Sequence, residues 1–247
     1  MTNTALLERR NRLFGKGSSL FYEQPIQLVR GEGVFVYDES GRRYVDLFNN
    51  VPCVGHCHPH FVKTVSSQLK TLNVHSRYLH QSILDYADRL ISTHHDSIES
   101  VIFSCTGTEA NEIALQMARL ATGGRGIICT DATYHGNSAE VSKLTGAKSN
   151  QGDVRSIRFP ETYRTDTEDP LNHHLRELQL VIESFREDGT PFAGMLVCPI
   201  LANEGLPNIP KGYMAEAAKI VHQAGGVFMA DEVQAGLCRT GMWWGYQ

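Results

Sequence analysis

The sequence has no long apolar run, no excess of positive charge and no low-complexity segment. The longest apolar stretch, residues 193–202, is interrupted by Pro199 and is too short to span a bilayer. A formal net charge of −4 provides no basic surface of the kind that binds nucleic acid. These absences argue against a membrane-spanning protein and against a nucleic-acid-binding protein.

The N-terminus also lacks an apolar segment between its charges, which argues against a secretory signal. Arg9, Arg10 and Arg12 are typical of an organelle transit peptide, but Glu8 stands among them. The six cysteines in 247 residues, without such a signal, are interpreted as reduced thiols. The composition therefore predicts a cytoplasmic protein rather than a mitochondrial one.

Residues 1–55 predict a small N-terminal segment made of a polar helix and a three-strand meander. Its apolar segments, at 27–30, 34–37 and 43–48, are separated by turns that contain glycine. The pattern changes near residue 56, and residues 56–247 are predicted to form a separate large domain.

In residues 56–247, predicted helices alternate with short apolar strands. The helices are predicted at 61–72, 82–93, 109–121, 173–187 and 212–224, and the strands at 101–104, 127–129, 156–159, 194–198 and 227–230. Apolar strands separated by helices predict an α/β fold with a mostly parallel central sheet flanked by helices. Ligands of such sheets bind at the carboxyl ends of the strands.

The first candidate site is the turn between the predicted strand 101–104 and the helix that follows it. Thr106, Gly107 and Thr108 open this helix, where unpaired N–H groups and the positive end of the helix dipole favour a phosphate. Thr106 and Glu109 also fit an ordinary capping box, which needs no ligand. Capping and phosphate binding are compatible with each other.

Two further candidates follow other strands. Asp231 ends strand 227–230, and a buried carboxylate beside a pyridine nitrogen favours the protonated ring, although such an aspartate also caps turns. Gln234 fits either a bond to the phenolic oxygen of a pyridoxal ring or a solvent-facing position. Tyr134 follows strand 127–129 and offers either a stacking surface or plain packing. A phosphate cup, an aromatic ring and a carboxylate together predict a pyridoxal phosphate site.

The chain resembles the class III (ω-amino acid type) aminotransferases, which are pyridoxal phosphate enzymes of fold type I. The resemblance is carried by GTEANE (107–112), YHG (134–136), ADEVQAGLCRTG (230–241) and NNVPCVGHCHP (49–59). LNVHSRYLH (72–80), ILDYADRL (83–90) and PETYR (160–164) resemble the branch of phospholyases that act on ethanolamine phosphate and phosphorylated hydroxylysine.

The resemblance implies roles for individual residues. It implies that Gly107 and Thr108 hold the cofactor phosphate, beside the Thr106 candidate given above. It also implies that Tyr134 and His135 lie against the cofactor ring, that Asp231 contacts the pyridine nitrogen and that Gln234 lies near the ring hydroxyl. It also implies that Asn50 and Val51 line the substrate side and that Arg77 and Tyr78 lie near a homodimer interface. Arg77 and Arg164 are candidate cations for a substrate phosphate.

The implied reaction transfers an amino group from an amine or amino acid to a 2-oxo acid. The family's Schiff-base lysine and its C-terminal small domain lie beyond the Asp-Glu-x-Gln motif, but no lysine follows Asp231. The seven lysines are Lys16, Lys63, Lys70, Lys143, Lys148, Lys211 and Lys219. We therefore expect an incomplete and inactive chain that binds pyridoxal phosphate non-covalently.

One position departs from the family pattern. Cys198 precedes Pro199 where the family carries a glutamate that pairs with an active-site arginine, so the gating of the substrate is expected to differ. Glu204 lies six positions further on and is not assigned as a replacement.

Three alternatives remain open. A phospholyase shares the first chemical step with a transaminase but then expels phosphate. A metal protein is suggested by a cluster of soft ligands at Cys53, His56, Cys57, His58 and His60, although zinc sites usually need a second, separated pair. A non-catalytic module that binds some other phosphate is the third.

Overall fold

The structure is a computed structural model that describes residues 3–15, 17, 20, 22–48, 51–146 and 152–247. The chain divides into two compact units, Met1–His80 and Gln81–Gln247. The domain boundary predicted near residue 55 stays a prediction. None of the helices in the described ranges combines the length and the hydropathy that crossing a membrane requires.

The first unit contains the predicted helix and meander. Its elements are α1 (Asn3–Phe14), β1 (Leu28–Glu32), β2 (Phe35–Asp38), β3 (Arg43–Val45) and α2 (Pro59–Thr71). The strands pair antiparallel in chain order. Asp38 fixes the second turn, because its carboxylate accepts hydrogen bonds from the backbone N–H groups of Ser40 and Arg42, both at 2.9 Å.

The second unit is an α/β layer structure, as predicted. Its elements are α3 (Gln81–Ile91), α4 (Gly107–Thr122), β4 (Gly126–Thr130), a 3₁₀ helix (Val141–Leu144), β5 (Val154–Ile157), α5 (Pro170–Glu187), β6 (Phe192–Val197), α6 (Tyr213–Gln223) and β7 (Val227–Ala230). The strands form a four-stranded sheet in the order β5-β4-β6-β7, and every pairing is parallel. The carboxyl ends of the four strands therefore lie at one edge.

Both faces of this sheet are covered, because successive residues of a strand point to opposite sides. Ile128 packs with the α5 and α6 side chains in one core cluster. Its neighbours Ile127 and Cys129 pack with Leu115 of α4 in the other. Near-continuous apolar strands are the sequence signal of this arrangement.

The strand predicted at residues 101–104 is wrong. This segment is irregular, and Ile102 and Phe103 are 61% and 46% exposed. A strand requires hydrogen bonds from a neighbouring strand, and within the described ranges no strand pairs with this segment. A second, smaller difference is that β5 begins and ends two residues before the predicted segment 156–159.

Candidate functional site

Asp231 lies at the carboxyl edge of the sheet, immediately after β7, and is 6% exposed. Its Oδ2 accepts hydrogen bonds from His135 Nδ1 at 2.6 Å and from Asn111 Nδ2 at 2.9 Å. Its Oδ1 accepts from the backbone N–H of Val233 at 3.0 Å. The carboxylate is therefore held in one orientation by three donors from three segments.

These donors keep the carboxylate ionised in spite of its burial. Burial alone would raise the pKa of Asp231, since a low-dielectric environment disfavours the charged form. The hydrogen bond and the charge of His135, together with the donors on Val233 and Asn111, instead hold that pKa below its usual value. The site thus contains a fixed negative charge.

His135 is itself held from both sides. Its Nδ1 faces Asp231, and its Nε2 lies 2.9 Å from the Thr133 hydroxyl oxygen. Its side chain is fully buried. The imidazole therefore serves as a partner of Asp231, and a direct contact between His135 and a cofactor ring stays a prediction.

Asn111 and Thr133 are the two site residues to which the sequence reasoning gave no role. Asn111 lies one helical turn after Gly107 on α4, and its amide also donates to the carbonyl oxygen of His135 at 2.9 Å. It joins α4 to two separate loops. The sequence signal that could have indicated a role is the position of Asn111 within GTEANE, on the helix face that also carries Leu115 and Ala118. These three residues are the buried ones of α4, and a polar residue that is only 6% exposed needs hydrogen-bond partners.

The start of α4 is capped as the sequence predicted. The Thr106 hydroxyl accepts from the backbone N–H of Glu109 at 3.1 Å, and the Glu109 carboxylate accepts from the N–H of Cys105 at 2.7 Å. Within the described part of the chain, the N–H groups of Gly107 and Thr108 have no acceptor. Capping therefore leaves two donors for an anion.

Two close approaches bring the three segments together. A Cβ atom on Gly107 would lie 2.4 Å from Val233 Cγ2, so the start of α4 touches the turn after Asp231. A Cβ on Gly136 would lie 2.4 Å from Thr108 Oγ1, and Gly136 has a φ of 136°, which favours glycine. The start of α4, the loop after β4 and the turn after β7 thus meet at one place.

Tyr134 and Gln234 lie in these same segments. The Tyr134 side chain is 45% exposed, and its carbonyl oxygen accepts from Asn203 Nδ2 at 3.3 Å. Gln234 is half-buried in the turn that follows Asp231. The structure therefore places both at the predicted edge, and their contacts with a ligand stay predictions.

The predicted substrate residues are spread over different parts of the chain. Asn50 lies outside the described residues, and Val51, Arg77 and Tyr78 belong to the first unit, so their roles stay predictions. Arg164 follows β5, the strand farthest from β7 in the sheet. Its backbone N–H donates to the buried Glu161 carboxylate at 2.6 Å.

The position that departs from the family pattern is buried. Cys198 is 3% exposed at the end of β6, and burial raises the pKa of its thiol. Glu204 lies at the same edge, where its Oε1 accepts from the Thr130 hydroxyl at 2.5 Å. Glu204 is therefore close to the end of β4.

The histidine- and cysteine-rich segment does not form a metal centre. His56 Nε2 lies 2.7 Å from Asp46 Oδ2, while Cys53 and Cys57 are exposed. Across the described ranges, no three histidine, cysteine, aspartate or glutamate side chains are grouped so that they could hold a metal ion. The metal-protein alternative gains no support.

Comparison with protein families and curated sequences gives consistent matches. The family model for class-III aminotransferases matches residues 21–247. Alanine–glyoxylate aminotransferase 2 homolog 2, mitochondrial, of Arabidopsis thaliana is 36% identical over 98% of this chain and 52% of its own length. Ethanolamine-phosphate phospho-lyase homolog 1 of Caenorhabditis elegans is 27% identical over 98% of this chain and 56% of its own length. The chain spans about half the length of these relatives.

Solved structures share the fold. A phospholyase from Arthrobacter in complex with phosphoethanolamine superposes with a TM-score of 0.90 at 38% identity, over 98% of this chain and 59% of that chain. Taurine:2-oxoglutarate aminotransferase from Bifidobacterium kashiwanohense, in complex with pyridoxal phosphate and glutamate, gives a TM-score of 0.83 at 22% identity, over 100% of this chain and 59% of that chain. The second likeness concerns the fold alone.

Proposed function

Because the chain belongs to the class III aminotransferase family, we propose that its carboxyl-edge site binds pyridoxal phosphate for amino transfer between an amine or amino acid and a 2-oxo acid. Pyridoxal phosphate is the cofactor of this family, as predicted from the sequence. When bound, it supplies an electron sink for the substrate carbon that carries the amine. The observation that carries the proposal is the buried, ionised Asp231 beside the uncapped amides of α4.

The phosphate end of the site is the start of α4. The N–H groups of Gly107 and Thr108 and the Thr108 hydroxyl offer donors to a dianion, and the positive end of the helix dipole adds to their attraction. Glycine at 107 lets the backbone come close to its surroundings. Thr106 contributes by capping, since its hydroxyl already binds Glu109.

The ring end of the site is Asp231. A carboxylate that stays ionised when buried stabilises a proton on a pyridine nitrogen, which the electron sink requires. His135, Asn111 and Val233 fix the orientation of this carboxylate before any ligand arrives. We assign ring stacking to Tyr134 and a contact with the ring hydroxyl to Gln234.

No lysine of the chain is assigned as the covalent anchor. We propose that the 247-residue chain binds the cofactor non-covalently, because none of its seven lysines occupies the family position of the anchor. Borohydride treatment of the complex, followed by mass spectrometry, should leave no pyridoxyl group on the protein. The homodimer and the cytoplasmic location stay predictions.

Titration of the chain with pyridoxal phosphate, followed by absorbance, tests the cofactor site. Asp231→Asn should weaken binding by roughly 10- to 100-fold, because a charge-assisted hydrogen bond contributes about 1.5–3 kcal/mol. Asp153→Asn is the control: Asp153 lies just before β5, at the opposite edge of the sheet, and its carboxylate accepts from Arg125 Nε at 2.7 Å.

The opposite results identify the non-catalytic alternative. Equal affinities of the wild type and Asp231→Asn would count against the ring assignment. If inorganic phosphate also bound as tightly as pyridoxal phosphate, a module for some other phosphate would be the better description.

A phospholyase is the second candidate function, because the Arthrobacter phospholyase is 38% identical over 98% of this chain. Such an enzyme needs cationic groups for a substrate phosphate, and Arg77 and Arg164 are two separate candidates for this role. Incubation of the complete protein with ethanolamine phosphate separates the two functions. Phosphate release without an amino acceptor favours the phospholyase, whereas pyruvate-dependent amino transfer favours the transaminase.

A further inference from the structure

Two loops meet where β4 and β6, which are neighbours in the sheet, reach its carboxyl edge. The loop after β4 carries Tyr134 and His135, and the loop after β6 carries Asn203 and Glu204. The Thr130 hydroxyl at the end of β4 donates to Glu204 Oε1 at 2.5 Å. Asn203 Nδ2 donates to the Tyr134 carbonyl oxygen at 3.3 Å. The loop after β6 therefore contacts the chain at Thr130 and again at Tyr134, the two ends of the segment 130–134.

The hydrogen bond between Thr130 and Glu204 comes at a cost in folding stability. Thr130 is fully buried, and Glu204 Oε2 is shielded from solvent with no hydrogen-bond partner in the described part of the chain. A buried carboxylate oxygen without a donor lowers stability. A residue chosen for stability alone would be apolar.

These contacts act on the backbone on either side of the Tyr134 ring. The ring is 45% exposed, whereas the next residue is fixed by Asp231, Thr133 and Asn111. The direction of the ring relative to Asp231 therefore depends on what holds the Tyr134 peptide group. Asn203 provides that contact, and Glu204 anchors the start of the same loop.

We infer that Asn203 and Glu204 are positioning residues that set the Tyr134 ring relative to the Asp231 carboxylate. The inference rests on the proposed function in one respect, which is that Tyr134 stacks on a bound pyridoxal ring. Neither residue touches the ligand. Each acts through the loop of residues 130–135.

The test uses Asn203→Ala, with Asn208→Ala as a matched control. Asn208 is an exposed asparagine of the same loop whose Nδ2 donates to the Thr162 hydroxyl at 3.1 Å, in the loop after β5. Asn203→Ala should increase deuterium uptake in a peptide that spans residues 131–145 of the free protein. It should also weaken pyridoxal phosphate binding by about 2- to 10-fold, the effect of one hydrogen bond. Asn208→Ala should change neither quantity.

Glu204 is tested by a pair of variants. Glu204→Ala removes the acceptor for Thr130 and should increase both deuterium uptake and the dissociation constant. Glu204→Gln retains an acceptor oxygen of the same reach and should restore both values to near those of the wild type. The thermal midpoint without cofactor, measured for each variant, separates a general loss of stability from a change in loop position.

Two results would overturn the inference. One is unchanged deuterium uptake at residues 131–145 in both Asn203→Ala and Glu204→Ala. The other is increased uptake with unchanged affinity for pyridoxal phosphate, which would show that the loop position does not matter to the ligand. If the wild type binds no pyridoxal phosphate, the proposed function fails, and with it the assignment of ring positioning, whatever the exchange data show for the loop.

Discussion

At the scale of single residues, Asp231 and His135 form a buried pair. Their 2.6 Å contact is supported by Asn111 and Thr133, so protein groups alone hold the carboxylate in one orientation. Preorganised charge is the property that makes such a pair useful in catalysis.

This pair predicts a change in acid stability. The pKa of Asp231 is lower in the folded protein than its unfolded value of about 3.9, so ionised Asp231 contributes stability above that value. The contribution should disappear as the pH falls through the folded pKa. The difference in unfolding free energy between the wild type and Asp231→Asn should therefore be constant above pH ~5 and shrink in stronger acid. Urea titrations at several pH values measure it, and parallel curves throughout would contradict the assignment.

A second prediction concerns Arg155, which is 1% exposed on β5. Its guanidinium lies 4.0 Å from the centre of the Phe185 ring and donates to Ser184 and Asp188, while its Nε has no partner in the described ranges. Asp188→Ala should destabilise the fold by about 1–3 kcal/mol, because it leaves a buried charge poorly paired.

Arg155→Met is the complementary change and should be neutral or mildly stabilising, within about 1 kcal/mol, because Asp188 is half-exposed and remains solvated. Chemical denaturation of both variants tests the asymmetry. A greater loss for Arg155→Met than for Asp188→Ala would show that the stacking on Phe185 outweighs the charge.

At the scale of secondary-structure elements, the first turn of α4 combines a cap with two candidate donors. Thr106 caps the helix, and the N–H groups of the next two residues have no acceptor among the described residues. Thr106→Val keeps the shape of the side chain but leaves the N–H of Glu109 unpaired, so it should cost about 1 kcal/mol of stability. Thr106→Ser retains the hydroxyl and should cost little. If thermal unfolding found the two variants equally unstable, the methyl group rather than the cap would be responsible.

The sequence predicted those elements whose signal is local. The Thr106–Glu109 capping box agrees with the structure because capping depends on near neighbours, and the bounds predicted for β7 agree because its apolar segment also has a partner strand, β6. The strand prediction for residues 101–104 was wrong for the opposite reason. Their apolar character is typical of a strand, but strand formation also requires a distant partner.

The site residues also divide into those with a local sequence signal and those whose contacts depend on distant parts of the chain. The positions of Asp231 and of the turn at 106–108 could be predicted, because the first follows an apolar strand and the second opens a helix, while their contacts with a ligand stay predictions. Asn111 could not be given a role, since its partner Asp231 is 120 residues away in the sequence. Thr133 was missed because its contact with His135 depends on the conformation of the loop.

At the scale of the whole molecule, β7 is an edge strand of the described sheet, and the second unit has exposed apolar side chains. Within the described ranges β7 pairs only with β6, and Ile102, Phe103 and Leu120 are about half-exposed or more. Open edges and apolar patches promote association. We expect the 247-residue chain to associate at micromolar concentration, as measured by sedimentation velocity.

A charged substitution provides the control for this expectation. Ile102→Lys should reduce association without lowering stability, because the side chain is 61% exposed. A monomer with a sharp and reversible melting transition in the wild type would contradict the expectation. If Ile102→Lys associated as strongly as the wild type, the exposed apolar side chain at position 102 would not be the cause of association.

The contact between Gly136 and Thr108 has a consequence for how this sequence can change. The hydrogen on Gly136 Cα occupies space that a methyl group could take only by displacing the Thr108 hydroxyl. A larger residue at 136 therefore requires that the Thr108 side chain move or be replaced by a smaller one, and alanine at 108 would remove a candidate donor. Substitution at position 136 is thus limited by the side chain at position 108, whereas Gly136 places no such limit on a smaller residue at 108.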